Sequence, residues 1–368
     1  MDKYVPNFPT DYENILKRIG DINPRDYARS RNYIDGAVSY LSPYISRGVI
    51  STNQVFQSLL DQGLNPNAME KFIQELAWRD YWQQIWIAKK DEINSDLKHA
   101  QQPVANHEIA EAISKPATQI EAIDNAITEF YQTGYLHNHV RMYIATICCN
   151  MANSHWKHPA QWMYYHLLDG DWASNALSWQ WVAGANSNKK YYANQENINR
   201  YCHTNQYNTF LDVPYEDFPD MEIPAILAKT EKLHLLTPLP NKTAISVDAT
   251  KASCIYNYYN LDPNWRKDEE LNRILLLEPS VFEKYPIGQN AVDFMLALSE
   301  NIPNIQIYVG EFSALIQEHQ VQQCYFKEHP LNINYKGTED PRDWMFSVKG
   351  YYPSFFAFWK KCKKQLRF

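Results

Sequence analysis

Cysteine spacing, apolar runs and positive charge are all in short supply in this 368-residue sequence. The six cysteines, at 148, 149, 202, 254, 324 and 362, contain no C-x-x-C pair, so neither a disulfide framework nor a metal site is signalled, and a reducing cytoplasm is the expected location. Cys148 and Cys149, adjacent in an apolar stretch, are expected to pack as small hydrophobes. No segment approaches the roughly 18 apolar residues of a membrane span, and the opening MDKYVPNFPTDYENILK lacks an apolar h-region, so no membrane partner is expected. Lys and Arg number 35 against 42 Asp and Glu, a formal charge of −7. That balance argues against a nonspecific nucleic-acid coat protein and confines any nucleic-acid contact to a local patch.

What is present suffices for a sizeable core: 45% of residues are hydrophobic, and the length suggests two domains. Helical periodicity dominates the first half, over about 52–62, 67–92, 120–133, 135–153, 157–168 and 171–184. Near residue 205 it gives way to a stretch punctuated by Pro214, Pro219, Pro224, Pro238 and Pro240, which reads as a connector. Beyond it, RILLLEP (273–279), IQIYVG (305–310) and QCYFKEH (323–329) are short β-rich runs separated by helical patterns. Such alternation implies a small α/β unit with a parallel sheet. The expected organisation is a mainly α chain: a helical domain over 1–205, a connector over 206–245, and an α/β unit over 246–368. No internal repeat or low-complexity segment is apparent.

Two segments carry chemistry that a plain core does not need: HNHVRM (137–142) and LLDGDWASNALSWQW (167–181). Helical spacing puts Asn138, Arg141 and Met142 on one face, and Asp171, Asn175 and Trp179 on another. Asp169 precedes the second helix and is placed to pair with Arg141, which once buried needs a carboxylate. Two amphipathic helices with a satisfied internal ion pair are the plainer alternative. Upstream, Glu75, Trp78, Arg79 and Trp82 form a stripe that alternates charge with indole. Tryptophans at such spacing commonly pack in a core.

Together these segments resemble the FAD-binding helical domain of the DNA photolyase and cryptochrome family, whose cofactor bed carries an HN-x-x-R-M helix and a DGD-x-x-x-N…WQW helix. YARSRN (27–32), AVSYLSPYISRGVIS (37–51) and ELAWRDYW (75–82) resemble further family segments in family order, so the likeness extends over about residues 10–205. It implies an FAD cofactor. Tyr27, Ser39, Leu41, Ser42 and Arg79 would hold the phosphates, although capping and turn chemistry accounts equally for such serines. Asn138, Arg141, Asp169, Asp171 and Asn175 would grip the isoalloxazine ring. An amide beside the flavin suits a reduced, electron-donating form, because a carboxylate there would oppose its negative charge.

By the same resemblance Glu75, Trp78, Met142 and Trp181 would receive a pyrimidine dimer flipped from damaged DNA, with flat indoles stacking on the extruded bases. Lys189 and Lys190, just past the WQW segment, are the candidate DNA-phosphate contacts. A second basic run, from Lys360 to Lys364, reads as a solvated helix end. Trp179 and Trp156 match the first two indoles of the family's electron-transfer chain. The third has no counterpart, since no tryptophan lies between Trp86 and Trp156; Tyr131, Tyr143 and Trp162 are loose substitutes. Val38 stands where the family usually has a hydroxyl, and the α/β part follows the helical part instead of preceding it. The implied activity is a carbon–carbon lyase splitting cyclobutane dimers by light. The alternatives are a cryptochrome-like blue-light sensor without repair activity, or a flavin-free structural relative.

Overall fold

The computed structural model describes residues 6–366. The chain is mainly α-helical with a small α/β part, and it forms two compact units, each assembled from separated segments. One unit takes in residues 23–38 and 89–235; the other takes in 7–22, 39–88 and 236–366 of the described chain.

The first unit is built on helices whose ends the sequence marks. Glu121–Thr133 stops at Gly134, whose φ of +67° is the left-handed conformation that ends a helix at little cost for glycine. Asn138–Thr146 starts beneath His137, whose ring Nδ1 accepts the His139 N–H. Trp172–Ala183 starts at Asp171, whose carboxylate accepts the Ser174 N–H at 2.7 Å, and it ends at Gly184 (φ +83°). Trp172–Ala183 packs against both Lys157–His166 and Asn138–Thr146. The helix expected over 135–153 is regular only to Thr146. Residues Ile147–Met151 form a wide π turn, and Ala152 N–H reaches back to Ile147 O. Buried Asn150 feeds its amide to Thr146, Val182 and Tyr191, a demand that regular winding does not have to meet. In the proline-rich stretch, Tyr215–Asp220 and Ala225–Leu227 are 3₁₀ turns, and strand β2 (Thr230–Glu231) pairs antiparallel with β1 (Ile109–Ala110).

In the second unit a five-stranded, all-parallel sheet has the order β5-β4-β3-β6-β7, from β3 (Ser253–Tyr256), β4 (Asn272–Leu277), β5 (Ile305–Val309), β6 (Cys324–Lys327) and β7 (Thr338–Asp340). The sequence reading passes over two strands of this sheet, the central β3 and the edge strand β7. Strand β3 has four residues, all buried, so neither length nor alternation marks it. The apolar core on one side joins Ile255, Ile274, Leu276, Tyr308, Leu315 and Phe326.

The helix Pro66–Lys89 belongs to this unit through Ala88 and is fastened to the chain's last fifty residues. Asp80 accepts the Met345 N–H at 3.1 Å, Gln83 accepts from Arg342, and Gln84 accepts the Gly350 N–H. Buried Asp80 also takes the Thr52 hydroxyl at 2.9 Å. Desolvation pushes its pKa up to about 6, against the attraction of Arg342.

Candidate functional site

In the first unit a single glycine sets the geometry. The positive φ of Gly134 turns the chain so that its carbonyl accepts the Leu168 N–H at 2.9 Å, tying the start of the Asn138–Thr146 helix to the loop before Trp172. A Cβ at Gly134 would meet Leu168 Cγ at 2.6 Å. That link brings Arg141 onto Asp169, with Nη2 at 3.0 and 2.9 Å from the two carboxylate oxygens, while Nε donates to Leu136 O at 2.8 Å. Asp169 is 2% exposed and Arg141 22%. The guanidinium is thus fixed at two of its nitrogens, and Nη1 makes no hydrogen bond to the described protein.

Further polar groups stand at the starts of the two helices that carry and follow this pair. Asn175 donates its amide N–H to Ala160 O at 2.8 Å, which presents the carboxamide oxygen as its remaining polar end. His137 Nε2 and Ser174 Oγ are buried without a protein partner. Burial, followed by the charges of His139 and Arg141, lowers the His137 pKa to about 4, so this ring is neutral at physiological pH. Asp171 is buried and spends one oxygen on its helix cap. A heterocycle edge that offers both donors and acceptors matches this mixture of spare guanidinium N–H, amide oxygen and neutral imidazole. His137 Nε2 and Ser174 Oγ are the two of these groups' atoms that are buried without a hydrogen bond, a condition that a bound ligand would relieve.

The remaining sequence candidates of this unit are placed as follows. Tyr27 and Met142 are partly buried, and Asn138 is exposed. Trp156 and Trp179 are buried. Trp181 is 39% exposed, tilted against Tyr191, and held on the same turn as Lys189, because Ser187 Oγ bonds the carbonyls of both Trp181 and Lys189. Lys189 is exposed; Lys190 is partly buried, and burial lowers its pKa. Trp162, one of the loose aromatic candidates, donates its indole N–H to Tyr131 Oη at 3.0 Å.

In the second unit, Ser39 and Ser42 flank buried Leu41 ahead of the short helix Ser42–Ser46, and Tyr40 adopts a φ of +53°. Arg79 reaches this segment by donating from Nη1 to Ser46 Oγ at 2.6 Å. Ser42 and Arg79 therefore share one locality, and Ser46, which the sequence reading did not single out, is the link. Glu75 is paired with Lys71 at 3.3 Å. Trp78 lies flat on Phe355, 3.8 Å between ring centroids, with Tyr81 at its edge and Trp82 tilted beside it.

Helix caps and a part-buried guanidinium–carboxylate pair thus order the polar groups of this helical segment. Residues 72–210 match the family model for the FAD binding domain of DNA photolyase. That segment is similar to the DNA photolyase/cryptochrome family, and FAD is the cofactor that the matched domain binds. It is 28% identical over 167 residues to a deoxyribodipyrimidine photo-lyase of Streptomyces griseus, covering 45% of this chain and 36% of that one. It is 30% identical over 188 residues to the mitochondrial deoxyribodipyrimidine photo-lyase of Saccharomyces cerevisiae, covering 45% of this chain and 33% of the relative. The chain thus spans about a third of the length of these relatives. A Synechocystis cryptochrome structure aligns with a TM-score of 0.48 at 23% identity, over 54% of this chain and 44% of that one. No helix among the described residues is long and apolar enough to cross a membrane.

Proposed function

We propose that this flavoprotein is a light-driven lyase that splits cyclobutane pyrimidine dimers in DNA. The observation that carries the reading is the buried Arg141–Asp169 pair with guanidinium Nη1 left over, inside the segment matched to the photolyase FAD-binding domain. When bound, FAD supplies light-driven one-electron transfer. Arg141, anchored by Asp169, would present a fixed cationic donor to the ring. Asn175, a neutral amide held through its nitrogen, would keep negative charge away from the ring edge, and Asp171 would accept from it. Ser39 and Ser42, flanking Leu41, and Arg79 offer within their own unit the hydroxyl and guanidinium donors that phosphates take, and Tyr27 is a candidate hydroxyl in its own unit. Trp181 has an exposed face on which an extruded base can stack, and Lys189 stands on the same turn to meet a backbone phosphate. Glu75, Trp78 and Met142 are further candidates for lesion binding, and Trp179 and Trp156 for the route by which electrons arrive.

The test is direct. Anaerobically reduced, FAD-loaded protein under blue light is expected to remove dimers from a dimer-containing oligonucleotide, with no loss in darkness. Unchanged dimer content after long illumination would overturn the lyase reading.

One observation favours a second reading, a cryptochrome-like photosensor. Trp78 already has an aromatic partner in Phe355, and Glu75 already has a cation in Lys71. Both groups assigned to the lesion are engaged by the chain itself. A sensor would bind FAD with the same residues of the first unit and show no preference for damaged DNA.

A further inference from the structure

The indole of fully buried Trp156 is hydrogen-bonded to a carboxylate, with Nε1 donating to Asp96 Oδ1 at 2.7 Å. That oxygen also accepts from His155 Nε2 at 3.1 Å, and Asp96 Oδ2 accepts the Gln101 N–H at 2.8 Å. His155 Nδ1 accepts the Lys157 N–H at 3.3 Å, which keeps the imidazole hydrogen on Nε2, pointing at Asp96. Gln101 latches the loop a second time, accepting the Trp156 N–H and donating to Ser154 O. The other side of Asp96 is wet. Its side chain is 22% exposed and borders a cleft of about 640 Å³ lined also by His107, His155, Lys157, His158 and Lys232.

A neutral indole N–H is a very weak acid and needs no ionised partner; a backbone carbonyl would satisfy it. One-electron oxidation changes that, because the indole cation readily gives up its N–H proton. No tryptophan between Trp86 and Trp156 is available to carry the positive charge onward along the chain. While Trp156 keeps its proton, its positive charge either passes to another aromatic or draws the electron back; losing the proton removes that charge.

We propose that Asp96 is the base that takes the indole proton of Trp156 when that residue is oxidised, with His155 as the positioning residue that orients the carboxylate. The inference rests on the proposed electron route through Trp179 and Trp156. One electron leaves Trp156 to fill the vacancy on Trp179, whose own electron has gone to the light-excited flavin. The Nε1–H bond breaks and an O–H bond forms on Asp96, leaving a neutral indolyl radical and a carboxyl group, which releases its proton to water in the cleft. His155 cannot take that proton at Nε2, which already carries hydrogen. A soluble thiol supplies the electron, and water the proton, that restore the indole.

The experiment is flash excitation of the full-length, FAD-loaded protein with time-resolved absorption, which distinguishes the indole cation from the neutral radical. In the unsubstituted protein the cation should convert to the neutral radical, more slowly in D₂O, and Trp156→Phe should abolish the neutral radical. Asp96→Asn should leave the cation to recombine, shortening charge separation about a hundredfold, the scale of a lost general base. Asp96→Glu should restore the conversion, and His155→Gln should slow it. A neutral radical formed equally fast in Asp96→Asn would overturn the proposal, as would an unsubstituted cation that persists until recombination. The D₂O comparison needs no variant to fold. Absence of any tryptophan radical in flavin-loaded protein would overturn the electron route itself, and this inference with it, an outcome distinguishable from the other two.

Discussion

Phe355 stacks on Trp78 with ring planes 10° apart and centroids at 3.8 Å, so one face of this indole is covered by the chain's own C-terminal helix, Phe355–Cys362. Phe355 is itself buried. Phe355→Ala is expected to lower stability by about 3 kcal/mol in urea unfolding, from lost apolar burial and the cavity left behind. Under the lyase reading the uncovered indole should also gain affinity for a dimer-containing oligonucleotide over an undamaged one, measured by anisotropy. An unchanged preference would favour the sensor reading.

Arg141→Ala leaves the Asp169 carboxylate, 2% exposed, without its cation. Stranding a buried charge in this way costs about 3–5 kcal/mol, and the spare Nη1 donor disappears as well. The variant should purify without the flavin absorbance of the unsubstituted protein. Arg141→Lys keeps the charge but cannot bond both Asp169 and Leu136 O, so it should bind FAD weakly. Stoichiometric flavin in Arg141→Ala would refute the role given to this pair.

Asp80 supplies a pH signature. Its pKa of about 6 lies above the usual 3.8, chiefly through burial. A carboxyl whose pKa is higher when folded binds an extra proton in the native state between roughly pH 4 and 6. Its ionisation therefore costs stability progressively as pH rises through that window, and the cost levels off above it. The full difference is on the order of 3 kcal/mol. Relative to Asp80→Asn, the unsubstituted protein should lose stability by up to about that amount between pH 4 and 7 in urea titrations. A constant gap between the two would show that Asp80 does not titrate in this range.

The helices of the first half are legible because capping residues and helical period agree: Asp171, Gly134 and Gly184 end elements where the apolar stripe ends. The Arg141–Asp169 pair is legible for a related reason, since Asp169 stands two residues before the Asp171 cap and Arg141 four residues after the His137 cap. Strand β3 is not, because a fully buried four-residue strand carries no alternation. Asp96 could not be found either. It lies sixty residues before Trp156 in a stretch without periodicity, and tertiary hydrogen bonds such as the Gln101 latch bring it to the indole. Asp80 hides in a motif in which Trp78 and Arg79 draw the eye, and its partners Thr52 and Met345 are remote in sequence.

The two lysines after the WQW segment separate on structural grounds. Lys189 is exposed on the turn that carries Trp181, whereas the stem of Lys190 packs so that its Cγ would lie 3.3 Å from a Cβ at Gly184. Burial lowers the Lys190 pKa, which marks it as a packing residue with a charged tip. A phosphate contact contributes equally to every sequence and releases counterions. Lys189→Gln should therefore weaken binding to damaged and undamaged DNA alike and reduce the slope of log K against log salt by about 0.9 on a duplex. Lys190→Gln should leave that slope closer to its original value and lower thermal stability instead. Titrating labelled duplexes across a salt series, with melts of both variants, decides it. An unchanged slope in Lys189→Gln would remove this turn from the DNA contact.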